Sequence, residues 1–369
     1  MTFVGQIRMP LKFLIAFALL DFSSKVYGRP ASSSGVLSPA SEWKIDNLKS
    51  IVAFGDSYTD EQRLSYFINH NGTAPPVGWV QPVTYPTADG GYVWARYVSW
   101  YTRANLYNYA VSGAVCSNAI TPRHFDAINT TFPSVLEYEV PAFLVDKVYI
   151  EPNSRKPFLD LPAAETVYAL WIGTNDLGNN AFITNSQIKG KTLDDYVGCV
   201  FEVLNKLYVA GGRNFILLNN TPLDLAPQYA TIANGGVTKS RFWQDKPADI
   251  DGISRKMSYQ VQVANTAMRS RMEALGRQYS EGKFALFDTH ELFENVYKNP
   301  RNYLNGTEKP NVSSWINQCD GQGNNCTPKP SPDSYLWYDE LHPSEQADRV
   351  VAREFVKVVN GSSSYAIYY

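Results

Sequence analysis

Five short apolar runs, rich in β-branched and aromatic residues, set the limits on what this chain can fold into: Ser50–Phe54, Leu106–Tyr109, Thr166–Ile172, Phe215–Leu218 and Phe284–Phe287. Between several of them lie long stretches at helical spacing. Thr192 caps a helix expected to reach about Ala210, with Val197, Val200, Phe201, Leu204 and Leu207 on one face and Gly211-Gly212 stopping it. A second helix is expected from Ile253 to about Tyr279, with a stripe of Met257, Val261, Ala264, Met268, Met272 and Leu275 that reads as core packing. A third runs from Ser344 to about Val359. Such alternation predicts an α/β fold, a mostly parallel sheet covered on both faces, with its ligand beyond the carboxyl ends of the strands. Around residues 290–336 the pattern lapses into a long stretch rich in Asn, Pro, Gly and Ser, read as a functional loop or a decorated insertion.

The chain has 369 residues, 44% of them hydrophobic, which is ample for a large core. A formal charge of −2 without a basic patch argues against a nucleic-acid partner. Arg8 and Lys12 precede the apolar run Phe13 to Leu20, which is too short to span a bilayer, and Val26-Tyr27-Gly28 offers a cleavage site. We therefore assign residues 1–28 to a signal peptide, 29–46 to a linker, 47–360 to a single domain and 361–369 to a C-terminal tail. No later segment reads as a membrane span, so the protein is expected outside the cell, with no obligate protein partner. Asn-x-Ser/Thr sequons at Asn71, Asn129, Asn305, Asn311 and Asn360 lie in loop-like surroundings and are candidate glycosylation sites; Asn219 ends an apolar run and reads as buried. The four cysteines suit an oxidising compartment. Cys319 and Cys326 flank a polar loop easily closed by a disulfide; Cys116 and Cys199 are then a second pair, or two buried free thiols. No Cys/His spacing resembles a metal site, and no cofactor is implied.

The first run, Ile51-Val52-Ala53-Phe54, passes straight into Gly55-Asp56-Ser57 and a polar turn, which pushes a serine out past the carboxyl end of a strand. A serine hydroxyl is a poor nucleophile unless a base takes its proton. Of the four histidines, His70 and His124 sit in loop-like surroundings and read as surface residues. His342 follows Asp339 by three residues, a spacing that lets the carboxylate hold Nδ1–H and leaves Nε2 to face a serine. His290, just past the fifth run, is its competitor. Asn175, after the third run, and Gly113, after the second, are candidate donors to a developing oxyanion.

In that order the blocks "FGDSYTD", "SGA", "GTND" and "DELH" resemble the four motifs of the SGNH hydrolase superfamily, the GDSL esterases, over about residues 50–345. The resemblance implies Ser57 as nucleophile, His342 as general base and acid, and Asp339 as the orienting carboxylate. It implies an oxyanion hole of the Ser57 and Gly113 amides with the Asn175 side chain. The implied fold is a three-layer α/β/α sandwich with a flavodoxin-like parallel five-stranded sheet. Consistently, no Gly-x-Ser-x-Gly elbow surrounds Ser57. Tyr58 stands where the family name has Leu. Glu61-Gln62-Arg63 stands where small residues are commoner, at the expected rim of the pocket.

Within the superfamily, "WIGTNDLG", "NNTPLDLAP" and "WYDELHPS" are most similar to the fungal secreted acetylesterases of carbohydrate esterase family sixteen. That implies a secreted acetylesterase acting on acetylated hemicellulose oligosaccharides or other small esters. Trp79, Trp94 and Trp337 are candidate sugar-stacking platforms, whereas Trp171 reads as core. Two other readings remain open: a lipase or phospholipase using the same residues on longer acyl chains, and a non-catalytic glycan-binding wall protein on the same scaffold.

Overall fold

The sheet is built from β1 (Ser50–Gly55), β2 (Asn105–Asn108), β3 (Thr166–Trp171), β4 (Asn214–Leu218), β5 (Lys283–Phe287) and β6 (Ala366–Tyr368). The computed structural model describes residues 43–126 and 129–369, which belong to one compact unit. The signal peptide assigned to 1–28, and the linker as far as residue 42, lie outside the described residues.

Strand order is β6-β5-β4-β3-β1-β2. The first five strands are parallel, with Ser50 beside Asn105 and Thr166, Val167 beside Asn214, and Asn214 beside Lys283. This is the doubly wound 2-1-3-4-5 order, in which a crevice opens where the strand order reverses, between β1 and β3. The α/β sandwich expected from the sequence is present.

Helices cover both faces because alternate strand residues point to opposite layers. Val52, Phe54, Tyr168, Leu170, Phe215 and Leu217 join one buried cluster with α3 (Val140–Val148), α4 (Leu193–Val209) and α5 (Ile250–Gln278). Ile51, Ala53, Val167, Trp171, Ile216 and Phe287 join the other with α2 (Trp94–Thr102), α6 (Thr289–Lys298) and α7 (Glu345–Val359). A short α1 (Arg63–Asn69) follows the serine turn. At the start of α4, Thr192 accepts from Asp195 N while the Asp195 side chain accepts from Thr192 N, a reciprocal cap.

Three boundaries differ from the sequence reading. Residues 361–369 are not a tail: Ala366, Ile367 and Tyr368 pair antiparallel with Phe287, Leu286 and Ala285 and give the sheet a sixth strand. So short a run leaves no periodicity to detect. The linker is too long as drawn, since Trp43 and Ile45 are buried and the Trp43 indole donates to Val358 O at 2.6 Å. The stretch from 290 begins with a helix, α6, which Asp288 caps and which buries Leu292, Phe293 and Val296.

At the exit of β1 the chain crowds β3. A Cβ on Gly55 would lie 2.1 Å from the Trp171 carbonyl oxygen, and its φ of +150° is a conformation that other residues avoid. Glycine is therefore required one step before the Asp56-Ser57 turn.

Deleting residues 364–369 should uncover the edge of β5 and the aromatic contacts of Tyr365, Tyr368 and Tyr369. We expect thermal unfolding to drop by roughly 3 °C or more, since the apolar area lost corresponds to about 2 kcal/mol at least. An unchanged melting temperature by calorimetry would show that β6 adds nothing.

Candidate active site

Ser57 lies in a tight turn anchored by Asp56, whose carboxylate accepts from Tyr58 N at 3.1 Å and whose carbonyl accepts from Thr59 N and Asp60 N. On the far side of the chain, Asp339 Oδ1 accepts from Leu341 N and His342 N at 2.8 and 2.7 Å, which folds Asp339–His342 into a closed turn ahead of α7. The Tyr58 hydroxyl donates to Leu341 O at 2.8 Å and ties the two turns together. Tyrosine at that position thus has a specific bond that leucine cannot make.

The outcome is a line of side chains. The Ser57 hydroxyl donates to His342 Nε2 at 2.8 Å, and His342 Nδ1–H donates to both Asp339 oxygens at 2.9 Å. This assignment places the proton of the neutral imidazole on Nδ1. Ser57 and His342 are only 6% and 5% exposed, and Asp339 is fully buried. Burial pushes the Asp339 carboxyl up, but the charges of His342 and Arg241 and the bonds from His342 outweigh it and hold the group below its ordinary value.

Gly113 and Asn175 meet through a residue that the sequence reading missed. Arg123 Nη1 donates to Gly113 O at 2.5 Å and to Asn175 Oδ1 at 2.8 Å, while Asn175 Nδ2 donates to Ala114 O at 2.9 Å. With its oxygen held by a cation and one N–H spent on a carbonyl, the Asn175 amide keeps its second N–H for another acceptor. Gly113 takes φ +88° beside the Phe132 ring, over which the Arg123 guanidinium also lies. Burial lowers the Arg123 pKa, with Asp176, Tyr229 and Asp56 opposing. Gly55 pairs with Trp171 in the sheet, so the serine turn after β1 and the asparagine turn after β3 leave neighbouring strands. No sequence spacing pointed to Arg123, because it lies in an irregular segment outside the motif blocks.

His290, the competitor, stands elsewhere. Its amide donates to Asn219 Oδ1 and it lines a separate polar cavity of about 440 Å³ between α5 and α6. His70 stacks on Tyr66, and His124 faces Asp126 at the surface.

Glu61 and Arg63 are held in buried pairings rather than at a rim around Ser57. Glu61 is buried and paired with Arg96 at 2.7 Å, and Arg63 is buried with its guanidinium on Asn108 O and the Tyr138 hydroxyl. Trp94 and Trp337 are wholly buried and join Trp171 in the core, so neither is a sugar platform. Trp79 is half-buried against Tyr66 and Arg63. Disulfides join Cys116 to Cys199 and Cys319 to Cys326. Among the sequons, Asn71, Asn129, Asn305 and Asn360 are exposed, Asn311 is half-buried in a short strand, and Asn219 is buried.

By its family model and its relatives this doubly wound α/β chain is a carboxylic ester hydrolase. The family model described as GDSL-like Lipase/Acylhydrolase matches residues 51–355, and the chain belongs to that family. It is 38% identical to an acetylesterase of Hypocrea jecorina over 88% of this chain and 92% of that one. It is 25% identical to an acetylesterase of Thermothelomyces thermophilus over 94% of this chain and 97% of that one. Among solved structures, a catalytic mutant of an acetylxylan esterase from Geobacillus stearothermophilus is similar with a TM-score of 0.44 and 14% identity, covering 86% of this chain and 96% of that chain.

Two buried carboxyls at this edge make stability depend on pH. Burial pushes Asp56 up to about 6 against the bond from Tyr58 N and the charge of His342. Burial pushes Asp176 up to about 7 against the bonds from Thr121 and Cys116 N. Unfolded, both ionise near the ordinary carboxylate value of about 4. Between about pH 4 and pH 7 the unfolded chain therefore binds fewer protons than the folded one, and stability falls as pH rises. Denaturant unfolding should show less stability at about pH 7.5 than at about pH 5, and Asp176→Asn should flatten that slope. A slope that Asp176→Asn leaves untouched would remove Asp176 as its source.

Proposed function

We propose that the protein is a secreted acetylesterase that cleaves short acyl esters through an acyl-Ser57 intermediate, and that its natural substrates are acetylated hemicellulose-derived oligosaccharides. The observation that carries the chemistry is the bonded line Ser57–His342–Asp339. Ser57 Oγ attacks the ester carbonyl while its proton passes to His342 Nε2. The tetrahedral oxyanion is received by the amides of Ser57 and Gly113 and the free N–H of Asn175. The C–O bond to the alcohol then breaks, and the alcohol leaves with the proton from His342. Water, deprotonated by the same imidazole, attacks the acyl-Ser57 ester, and the carboxylic acid departs as Ser57 regains its proton. Asp339 orients the imidazole and stabilises its charged form.

The preference for acetyl is supported by the two fungal relatives, both named acetylesterases, which align along most of this chain. Secretion is supported by the basic-then-apolar N-terminus in the sequence, by both disulfides, and by the exposed sequons. Asn71, Asn129, Asn305 and Asn360 are the sequons we expect to carry glycans.

Ser57→Ala should abolish ester hydrolysis while leaving the circular dichroism spectrum intact, because a lost nucleophile costs several orders of magnitude in kcat. Residual activity within about tenfold of wild type would exclude Ser57. His342→Ala should lose most of the rate and His290→Ala should keep it; the reverse would move the base to the other cavity.

With one leaving group, kcat/KM should fall steeply from acetyl to butyryl to octanoyl esters, and acetylated xylo-oligosaccharides should release acetate. A lipase instead gains up to about 0.8 kcal/mol for each buried methylene. A rate that climbs with chain length would overturn the acetyl reading while leaving the acyl-serine chemistry in place.

A further inference from the structure

Asp339 is gripped from two sides. His342 takes one, and Arg241 Nη2 donates to Asp339 Oδ2 from the other. We propose that Arg241 is a positioning residue that extends the reacting line to Ser57–His342–Asp339–Arg241, and that its fixed charge keeps the imidazole free to accept a proton at a lower pH than the three-residue line allows. This rests on the acyl-Ser57 reading.

The arginine and its neighbour act on both members of the acid–imidazole pair. The Arg241 guanidinium lies 4.7 Å from the centre of the Phe242 ring, and that ring packs edge-on against His342 at 5.4 Å. The segment carrying them is braced at each end. Ser240 and Trp243 exchange backbone hydrogen bonds, and the Ser240 hydroxyl donates to Gln228 Oε1. Gln228 N in turn donates to Glu340 O at 2.6 Å, inside the Asp339–His342 turn. On the other flank Gln244 donates to Gly321 O, and the stem of Arg241 lies against Gly323, where a Cβ would fall 3.0 Å from Arg241 Cδ. Gly321 and Gly323 both belong to the loop closed by the Cys319–Cys326 disulfide. That small ring thus supports the arginine that reaches the acid.

The direction of the effect follows from charge. Arginine stays protonated throughout the range in which imidazole titrates. Beside Asp339 it withdraws part of the attraction that the carboxylate would exert on an imidazolium, so His342 releases its proton more readily. It also makes Asp339 itself harder to protonate. Both effects move loss of activity toward more acid pH. The other titratable groups facing the pair are Asp56, Asp89, Glu340, Tyr58 and Tyr338. Burial pushes each of these carboxyls toward its protonated form and both tyrosines toward neutrality. Asp56, at about 6, changes charge in the range where an imidazole does, whereas Arg241 is the permanent cation against Asp339.

The test is kcat/KM for an acetyl ester as a function of pH in Arg241→Gln and Arg241→Lys, with thermal melts to confirm folding. Arg241→Gln should move the acid limb toward neutral pH by on the order of one unit, so that activity on that limb falls about tenfold, with KM little changed. Arg241→Lys keeps the charge and should hold the limb near its original place. A Cys319→Ser/Cys326→Ser double variant should shift it the same way by less, and carries the test should Arg241→Gln fail to fold. An unmoved limb, or a loss uniform across pH, overturns the proposal and leaves Arg241 as a merely structural contact. Ser57→Ala assayed alongside separates the failures. An active Ser57→Ala sinks the acyl-serine reading, whereas an inactive one beside an unshifted Arg241→Gln sinks this inference alone.

Discussion

Turns at and beside the carboxyl edge of the parallel sheet carry backbone N–H groups that buried carboxylates accept. Glu139 takes Gly55 N and shares Val111 N with Gly55 O. Asp60 takes Arg63 N, Leu64 N and Ser112 N. Asp176 takes Cys116 N, and Asp339 takes Leu341 N and His342 N. An orphaned buried donor costs about 1–3 kcal/mol, so these acids hold the edge together at the place where strands cannot. The loops they fix are those that present Ser57, Gly113, Asn175 and His342.

Acid side chains recruited for structure carry an electrostatic consequence. Burial raises the pKa of Glu139 and Asp176, so the scaffold around the site is least charged in acid. Asp339, by contrast, is held below its ordinary value, by His342 and Arg241 working against its burial. The architecture separates a carboxylate that must stay ionised from carboxyls whose main task is to accept backbone donors. Cations make that separation: Arg241 touches Asp339, while Arg123 reaches the carbonyl of Gly113 and the amide of Asn175.

The residues that looked like departures from the family pattern turn out to be parts of this buried network. Tyr58 spans from the serine turn to Leu341. Glu61 pairs with Arg96 and also accepts from Asn108, and Arg63 satisfies the Asn108 carbonyl. Each replaces a small or apolar residue with one whose polar end finds a buried partner, which a packed interior tolerates only when the partner is in place.

The sequence alone determined the five parallel strands and the three long helices, and singled out Ser57, Gly113, Asn175, Asp339 and His342 as candidates, since those signals are local. A buried strand shows as an apolar run, a helix as a spacing, and the site as short blocks just past strand ends. Tertiary structure decided what depends on partners distant in the chain. Ala366–Tyr368 is a strand only because β5 offers an open edge, and Trp94 and Trp337 are core only because the layer of α2, α6 and α7 packs around them. His342 rather than His290 meets Ser57 because the turn before α7 comes within reach of the turn after β1, across 285 residues of sequence. Arg123 and Arg241 reach the site from irregular segments. There the side chain's reach and the bracing of its loop select the partner, and neither leaves a periodic mark in the sequence.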